Sequence, residues 1–189
     1  MRQEPIAATD KKHKALIVTA CYTGMRQSAL LGLKWGDVDY AKSRIFVRRT
    51  LQSGRFYELK TAYSRHNITV PRQVIEALKE HQARQPVELA ENELELVFPN
   101  EAGKPIDGMN LYHRIFVPTL KRAGLRHVRF HNLRHSYAAA LISAGENPKW
   151  IQRQLGHSSI QVTMDIYGHL LPDIEREAPA TLEAALTPT

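Results

Sequence analysis

Residues 131–170, HNLRHSYAAALISAGENPKWIQRQLGHSSIQVTMDIYGHL, decide the architecture. Gly145 and Gly156 cut this stretch into helices over about 131–144 and 148–155, because glycine takes the left-handed turn after a last helical residue at little cost. Ser158 or Ser159 is placed to cap a final helix that reaches Tyr167, its hydroxyl accepting from a first-turn N–H that has no helical partner. The polar residues of these helices gather at their ends: His131 and Arg134 at one start, His157 at a turn, Tyr167 at a finish.

Working upstream, residues 10–22 carry Ala15, Leu16, Val18 and Thr19 between polar flanks, and read as an amphipathic helix stopped by Thr23-Gly24. Thr9 or Asp10 is the expected cap. A helix over about 26–33 buries Leu30, Leu31 and Leu33, and a turn follows at Trp35-Gly36-Asp37. Ile45, Val47 and the Thr50 region, then Phe56–Leu59, then His66–Val70 alternate apolar and polar residues. With turns at 52–55 and 61–65 they predict a three-stranded antiparallel meander. Pro71 opens a helix to about Arg84, an acidic loop leads to LVFP (96–99), and a further helix over about 109–123 ends at Gly124. The expected fold is α+β and mainly helical, with a small three-stranded antiparallel sheet beside a helical bundle. Its parts are a tail or linker remnant at 1–9, the main domain at 10–172, and a separable helical tail at 173–189.

A chain of 189 residues with 43% hydrophobic residues can bury roughly 70% of its unfolded surface, enough for one substantial core. No apolar run approaches the ~18 residues of a membrane helix. The opening MRQEPIAATDKKHK has no apolar segment before a cleavage site, so it does not read as a secretory signal. One cysteine, Cys21, excludes a disulfide framework and a multi-cysteine zinc site, and the expected setting is a reducing cytoplasm. The net charge is +7, with basic residues crowded into 42–72 and 121–157. Such a balance points to a polyanion, nucleic acid before a membrane surface, since no segment has the one-sided amphipathic pattern of a membrane-lying helix.

Five segments hold polar residues that folding does not demand: TGMRQSALLGL (23–33), the Lys60-Thr61 turn, HNLRH (131–135), LGH (155–157) and DIYGHL (165–170). His131 and Arg134, three apart on one helix, share a face. Arg26 opens a helix after a Thr-Gly break, where a guanidinium and helix-end N–H groups both attract an anion. Two planar arginine forks hold the oxygens of one phosphodiester better than two lysines would.

In this order and spacing the residues resemble the tyrosine recombinase, or phage integrase, family: an Arg in a TGxR context, a Lys in a β-hairpin turn, HxxR, a GH pair, and a tyrosine about ten residues on. Arg26, Lys60, His131, Arg134, His157 and Tyr167 fill these places, and the likeness covers about residues 10–172. The resemblance implies that Tyr167 attacks a DNA phosphate to leave a 3′-phosphotyrosyl link and a free 5′-hydroxyl. It implies Arg26, Arg134 and His157 on the phosphate oxygens, His131 as general base and Lys60 as the acid for the leaving oxygen. The covalent link conserves the bond energy, so the strand reseals without ATP. The two guanidiniums neutralise the charge, so no metal or other cofactor is expected. The partners implied are double-stranded DNA and further copies of the chain in a tetrameric synapse, with the 173–189 tail docking on a neighbouring protomer and the protein associated with the nucleoid.

This chain departs from the pattern at Ala29, where the family usually carries an acidic residue that supports the first arginine. Residues 1–9 cannot replace the family's usual N-terminal core-binding domain, so the chain is expected to be a catalytic part of a longer protein or an unusually small member. Other readings compete. A type IB topoisomerase shares the chemistry but usually has Lys where His131 stands. Residues 147–167 also resemble a helix-turn-helix, which would make a non-catalytic DNA-binding module. His131 and His135 have the spacing of a helical zinc pair, yet Asn132 occupies the place where a zincin needs Glu. His135 and His169 are read as local packing or bonding residues outside the catalytic set.

Overall fold

The computed structural model describes residues 4–59, 64–88 and 92–168. A turn of helix α1 (Glu4–Ala7) leads to α2 (Lys14–Thr23), which buries residues 15–21 on every side and is therefore the central helix rather than an amphipathic one. Neither Thr9 nor Asp10 caps it: His13 stands at the cap without a side-chain bond, the Thr9 hydroxyl donates to the Pro5 carbonyl, and Asp10 pairs with Arg122. The helix stops where expected, at Gly24 with φ +60°.

Next come α3 (Gln27–Leu31), a 3-10 turn (Trp35–Asp37) and five strands: β1 (Val38–Asp39), β2 (Arg44–Val47), β3 (Arg49–Gln52), β4 (Arg55–Glu58) and β5 (His66–Thr69). A three-stranded antiparallel sheet is present, but its members differ from the meander. Its order is β1-β2-β5, with Ile45 opposite Ile68, while β3 and β4 form a separate two-stranded ribbon. Burial accounts for the difference. Ile45, Val47 and Ile68 face the core, whereas Tyr57 and Glu58 of β4 are exposed, so the run that can cover the core takes the place beside β2.

The long α4 (Arg72–Glu88) packs on α2, and residues 96–98 run buried beneath it. Residues 108–122 then form one helical stretch: α5 (Gly108–Asn110), a π-helical turn (Leu111–Phe116) and α6 (Val117–Arg122). Pro118 lacks an N–H and crowds the preceding turn, and the wider π turn before it relieves that crowding. The last three helices are α7 (Asn132–Ser143), α8 (Pro148–Leu155) and α9 (Ile160–Tyr167), each within a residue or two of the sequence expectation. Ser159 makes the α9 cap, accepting from the Val162 N–H at 3.4 Å.

Two apolar clusters result. The larger joins α2, α3, α4, the sheet and the 96–98 segment. The smaller consists of Tyr137, Ala138, Ile142, Ile151, Leu155 and Tyr167, with Leu141 and Trp150 against it. Helix α7 contributes Leu133 to the first and Tyr137 to the second, so it takes part in both. Among the described residues no helix is long and apolar enough to cross a membrane.

Candidate active site

The Thr-Gly break before Arg26 is a tight junction between α2, α7 and α8. A Cβ on Gly24 would lie 2.6 Å from Tyr137 Cδ1 and 3.2 Å from Leu155 Cδ2, so only glycine fits both the left-handed backbone and the space. The Gly24 carbonyl accepts from Arg134 Nη1 at 2.8 Å, and Arg134 Nη2 donates to the Leu155 carbonyl at 2.7 Å. Arg134 is thereby held across the start of α3 and the end of α8, only 4% exposed. Among the described residues two of its five N–H groups are engaged. Burial, and then the neighbouring Arg26, push its pKa down to about 10.

Arg26 itself opens α3 with its side chain exposed. Ala29, at the family's acidic position, is buried in the larger cluster, so it contributes packing and no counter-charge. Among the described residues no carboxylate forms an ion pair with Arg26 or Arg134.

His157 follows Gly156, whose φ of +62° ends α8. Its Nδ1 lies 2.9 Å from the Thr163 hydroxyl, and its backbone is clamped on both sides by Gln152, through the carbonyl at 3.1 Å and the side-chain amide at 3.1 Å. Burial, then the cations Arg134 and Arg26, push its pKa down to about 4, so it is neutral at pH 7. A Cβ on Gly156 would strike the His66 ring at 2.4 Å, which shows how closely β5 sits on this turn. The Thr69 N–H donating to Gln154 Oε1 at 3.1 Å fastens the same strand to α8.

Tyr167 ends α9 inside the smaller cluster, 4% exposed. Its hydroxyl lies 2.8 Å from His135 Nδ1. Burial raises its pKa, with the Arg134 charge acting in the opposite direction. His131, one turn before His135, is exposed and sets its ring edge-on to that of His135, with centroids 4.9 Å apart. Burial, His135, Arg134 and Arg26, in that order, lower its pKa. Arg26 and His131 line one open groove of about 710 Å³, with the Gln52–Gly54 hairpin tip and Arg129 along its sides. The adjoining groove adds Arg126 and His127.

Arg26, His131, Arg134, His157 and Tyr167 are therefore brought together by the starts and ends of α3, α7, α8 and α9. Lys60, His169 and the 173–189 tail lie outside the described residues. Two residues that the sequence reading set aside belong to the cluster. His66 appears in the sequence only as the start of a strand, but its ring is half-buried against Gly156. His135 was read as a local residue, but it holds the Tyr167 hydroxyl. Its signal was present in the i, i+4 spacing from His131, which puts both rings on one helix face. As for a zinc pair, among the described residues no third His, Cys, Asp or Glu joins His131 and His135.

Comparison with known proteins gives the family. The phage integrase family profile matches residues 2–173, and the chain belongs to that family. It is 36% identical over 190 residues to a XerC-like tyrosine recombinase of Caldanaerobacter subterraneus subsp. tengcongensis, covering 89% of this chain and 48% of that protein. Over 187 residues it is 32% identical to the prophage integrase IntR of Escherichia coli K12, covering 89% and 46%. The chain thus spans about half the length of the curated relatives it matches. The Tn1549 transposon integrase, solved in complex with a circular intermediate DNA, aligns with a TM-score of 0.77 at 25% identity, covering 90% of this chain and 58% of that one. The catalytic domain of bacteriophage HP1 integrase shares the fold, with a TM-score of 0.62 at 17% identity and coverage of 100% and 95%.

Proposed function

We propose that this chain is the catalytic part of a site-specific DNA recombinase that cuts and rejoins strands through Tyr167. The observation that carries the reading is a buried tyrosine hydroxyl within the field of a buried arginine, Arg134, that no carboxylate among the described residues neutralises. Folding does not favour uncompensated positive charge in a half-buried place, so an anionic partner is the natural complement.

In this reading a backbone phosphate of double-stranded DNA lies in the groove, its oxygens held by Arg26, Arg134 and His157, with His131 at its edge. Oη of Tyr167 attacks phosphorus and the bond to the 5′-oxygen breaks. Lys60 supplies a proton to that oxygen, and a base on α7 takes the proton of Tyr167. Guanidinium charge carries the neutralising role, so the step runs without a metal ion. The active form is a tetramer on DNA in which the 173–189 tail docks on a neighbour, and the protein works at the nucleoid.

Covalent trapping tests this. A pool of nicked duplexes that lose the 5′-hydroxyl strand after cleavage is mixed with the protein in EDTA and run on a denaturing gel. A protease-sensitive adduct is expected with the natural chain and none with Tyr167→Phe. Salt-sensitive DNA binding without an adduct would favour the helix-turn-helix reading and sink strand transfer.

A further inference from the structure

We propose that His135, not His131, is the group that takes the proton from Tyr167. The inference rests on the nucleophile reading above and adds a catalytic residue to it. Three observations carry it. His135 Nδ1 is 2.8 Å from the Tyr167 hydroxyl, and among the described residues this is the hydroxyl's one hydrogen-bond partner. His131 makes no hydrogen bond to Tyr167; its ring is exposed, packs edge-on against His135 and lines the groove that holds Arg26. The Tyr167 side chain is 4% exposed and shares a cluster with Tyr137, Ala138, Ile142, Ile151 and Leu155, so His135 is the base already in contact with it.

The chemistry balances. With its own proton on Nε2, the His135 ring accepts at Nδ1. The Oη–H bond breaks as an N–H bond forms there, and the freed pair on Oη forms the bond to phosphorus. The phosphorus–5′-oxygen bond breaks, and the leaving oxygen is protonated by a separate acid, Lys60 in the reading above. On resealing, the 5′-hydroxyl attacks and the His135 imidazolium returns its proton to Tyr167. His131, one helical turn away on the same face, is left to contact the phosphate beside Arg26. The cation facing Tyr167, Arg134, favours the phenolate once it forms.

The test separates holding from proton transfer. In His135→Asn, Oδ1 stands near the position of Nδ1: it can accept the phenol hydrogen bond but cannot take the proton. Adduct formation on the nicked duplexes is measured for the natural chain, His135→Asn and His131→Asn, each also with 3-fluorotyrosine at 167, whose phenol is more acidic. General-base loss amounts to about 10²–10⁴-fold. The expected result is a fall of at least about 100-fold in His135→Asn, restored by about tenfold or more with fluorotyrosine, while His131→Asn gains nothing from fluorine. A His135→Asn rate within threefold of the natural one overturns the proposal, as does a loss that fluorotyrosine leaves unchanged, since that marks a positioning role. If the natural chain gives no adduct at all, the nucleophile reading itself has failed, which is distinct from the two outcomes that remove His135 alone.

Discussion

Arg49 and Arg134 both turn away from bulk water, and they are treated in opposite ways. Arg49, on β3, forms an ion pair with Asp37, whose carboxylate also accepts from the Lys34 N–H at 3.0 Å and lies 3.6 Å from Arg48. Arg134, more deeply buried, donates to two carbonyl oxygens and faces Arg26, and among the described residues no carboxylate pairs with it. The first arrangement is closed: the buried Asp37 carboxylate and Arg49 answer each other inside the chain, and the pair fixes the turn at Trp35–Asp37 against the hairpin. The second is open. Its geometry is fixed but its charge is left over, and that remainder is what an external phosphate would neutralise. A buried cation with good hydrogen bonds and no counter-ion is therefore a more specific mark of a site than a cluster of surface charge.

Several outcomes would break this contrast. The largest effect is expected at the closed pair. Asp37→Ala leaves Arg49 and Arg48 facing each other without their carboxylate, at a cost of about 3–5 kcal/mol. Urea unfolding should show it, with DNA-dependent chemistry spared in whatever fraction stays folded. A loss under about 1 kcal/mol would mean that the ion pair is only incidental.

The next effect belongs to His157. Its folded pKa of about 4 lies below the unfolded value of about 6.5, so the folded state disfavours the charged ring. The resulting stability is complete above pH 6.5 and is lost as pH falls through 4, by up to about 3 kcal/mol. His66 and His131, whose pKa values are also lowered, add slope of the same sign. The clean measurement is therefore the difference between the natural chain and His157→Asn, which can keep the Thr163 bond but does not titrate. Identical pH slopes for the two would show that the open site exerts no such pressure.

Replacing Arg134 itself should have a smaller effect on stability and a large one on function. Arg134→Met forfeits two hydrogen bonds but removes a buried charge that burdens Arg26, His131 and His157. The net change expected is within about 1 kcal/mol. Adduct formation should fall by about 10²–10³-fold, as when a transition-state donor is removed. If Arg134→Met unfolds the chain as readily as Asp37→Ala, the contrast between closed and open arginines is wrong.

How much of this the sequence could disclose depended on whether the deciding interaction was local. Gly24, Gly124, Gly145 and Gly156 stop their helices because of backbone geometry at those positions, and all four stops were legible. Strand partners were not, because β5 joins β2 through burial of Ile68 against Ile45, a preference set by the distant core and not by the turns. Among the site residues, spacing alone put His131 and Arg134 on one helix. The bond from His135 to Tyr167, by contrast, depends on how α9 folds back on α7 through a cluster of six residues. A histidine that looks redundant beside its neighbour in the chain cannot be weighed until that crossing is known.

The smallest effect is the most direct check that the open site is meant for a phosphodiester. A dinucleotide carrying one phosphodiester, added at constant ionic strength to remove general salt effects, should stabilise the folded chain by RT ln(1 + [L]/Kd), about 0.4 kcal/mol when its concentration equals Kd. For a chain of this size that is a rise of roughly 1–2 °C in Tm. The same dinucleotide should leave the Arg134→Met melting curve unmoved, whereas a substitution on the closed side, such as Arg48→Met, should keep the rise. A second signature follows from reciprocity. An anion beside His157 favours its protonated form, so binding must raise that pKa above 4, and affinity must increase as pH falls from 6 toward 4. Stabilisation that is equal with and without Arg134, or that weakens as His157 becomes protonated, would place the phosphate somewhere else on a basic surface and leave the buried guanidinium without its partner.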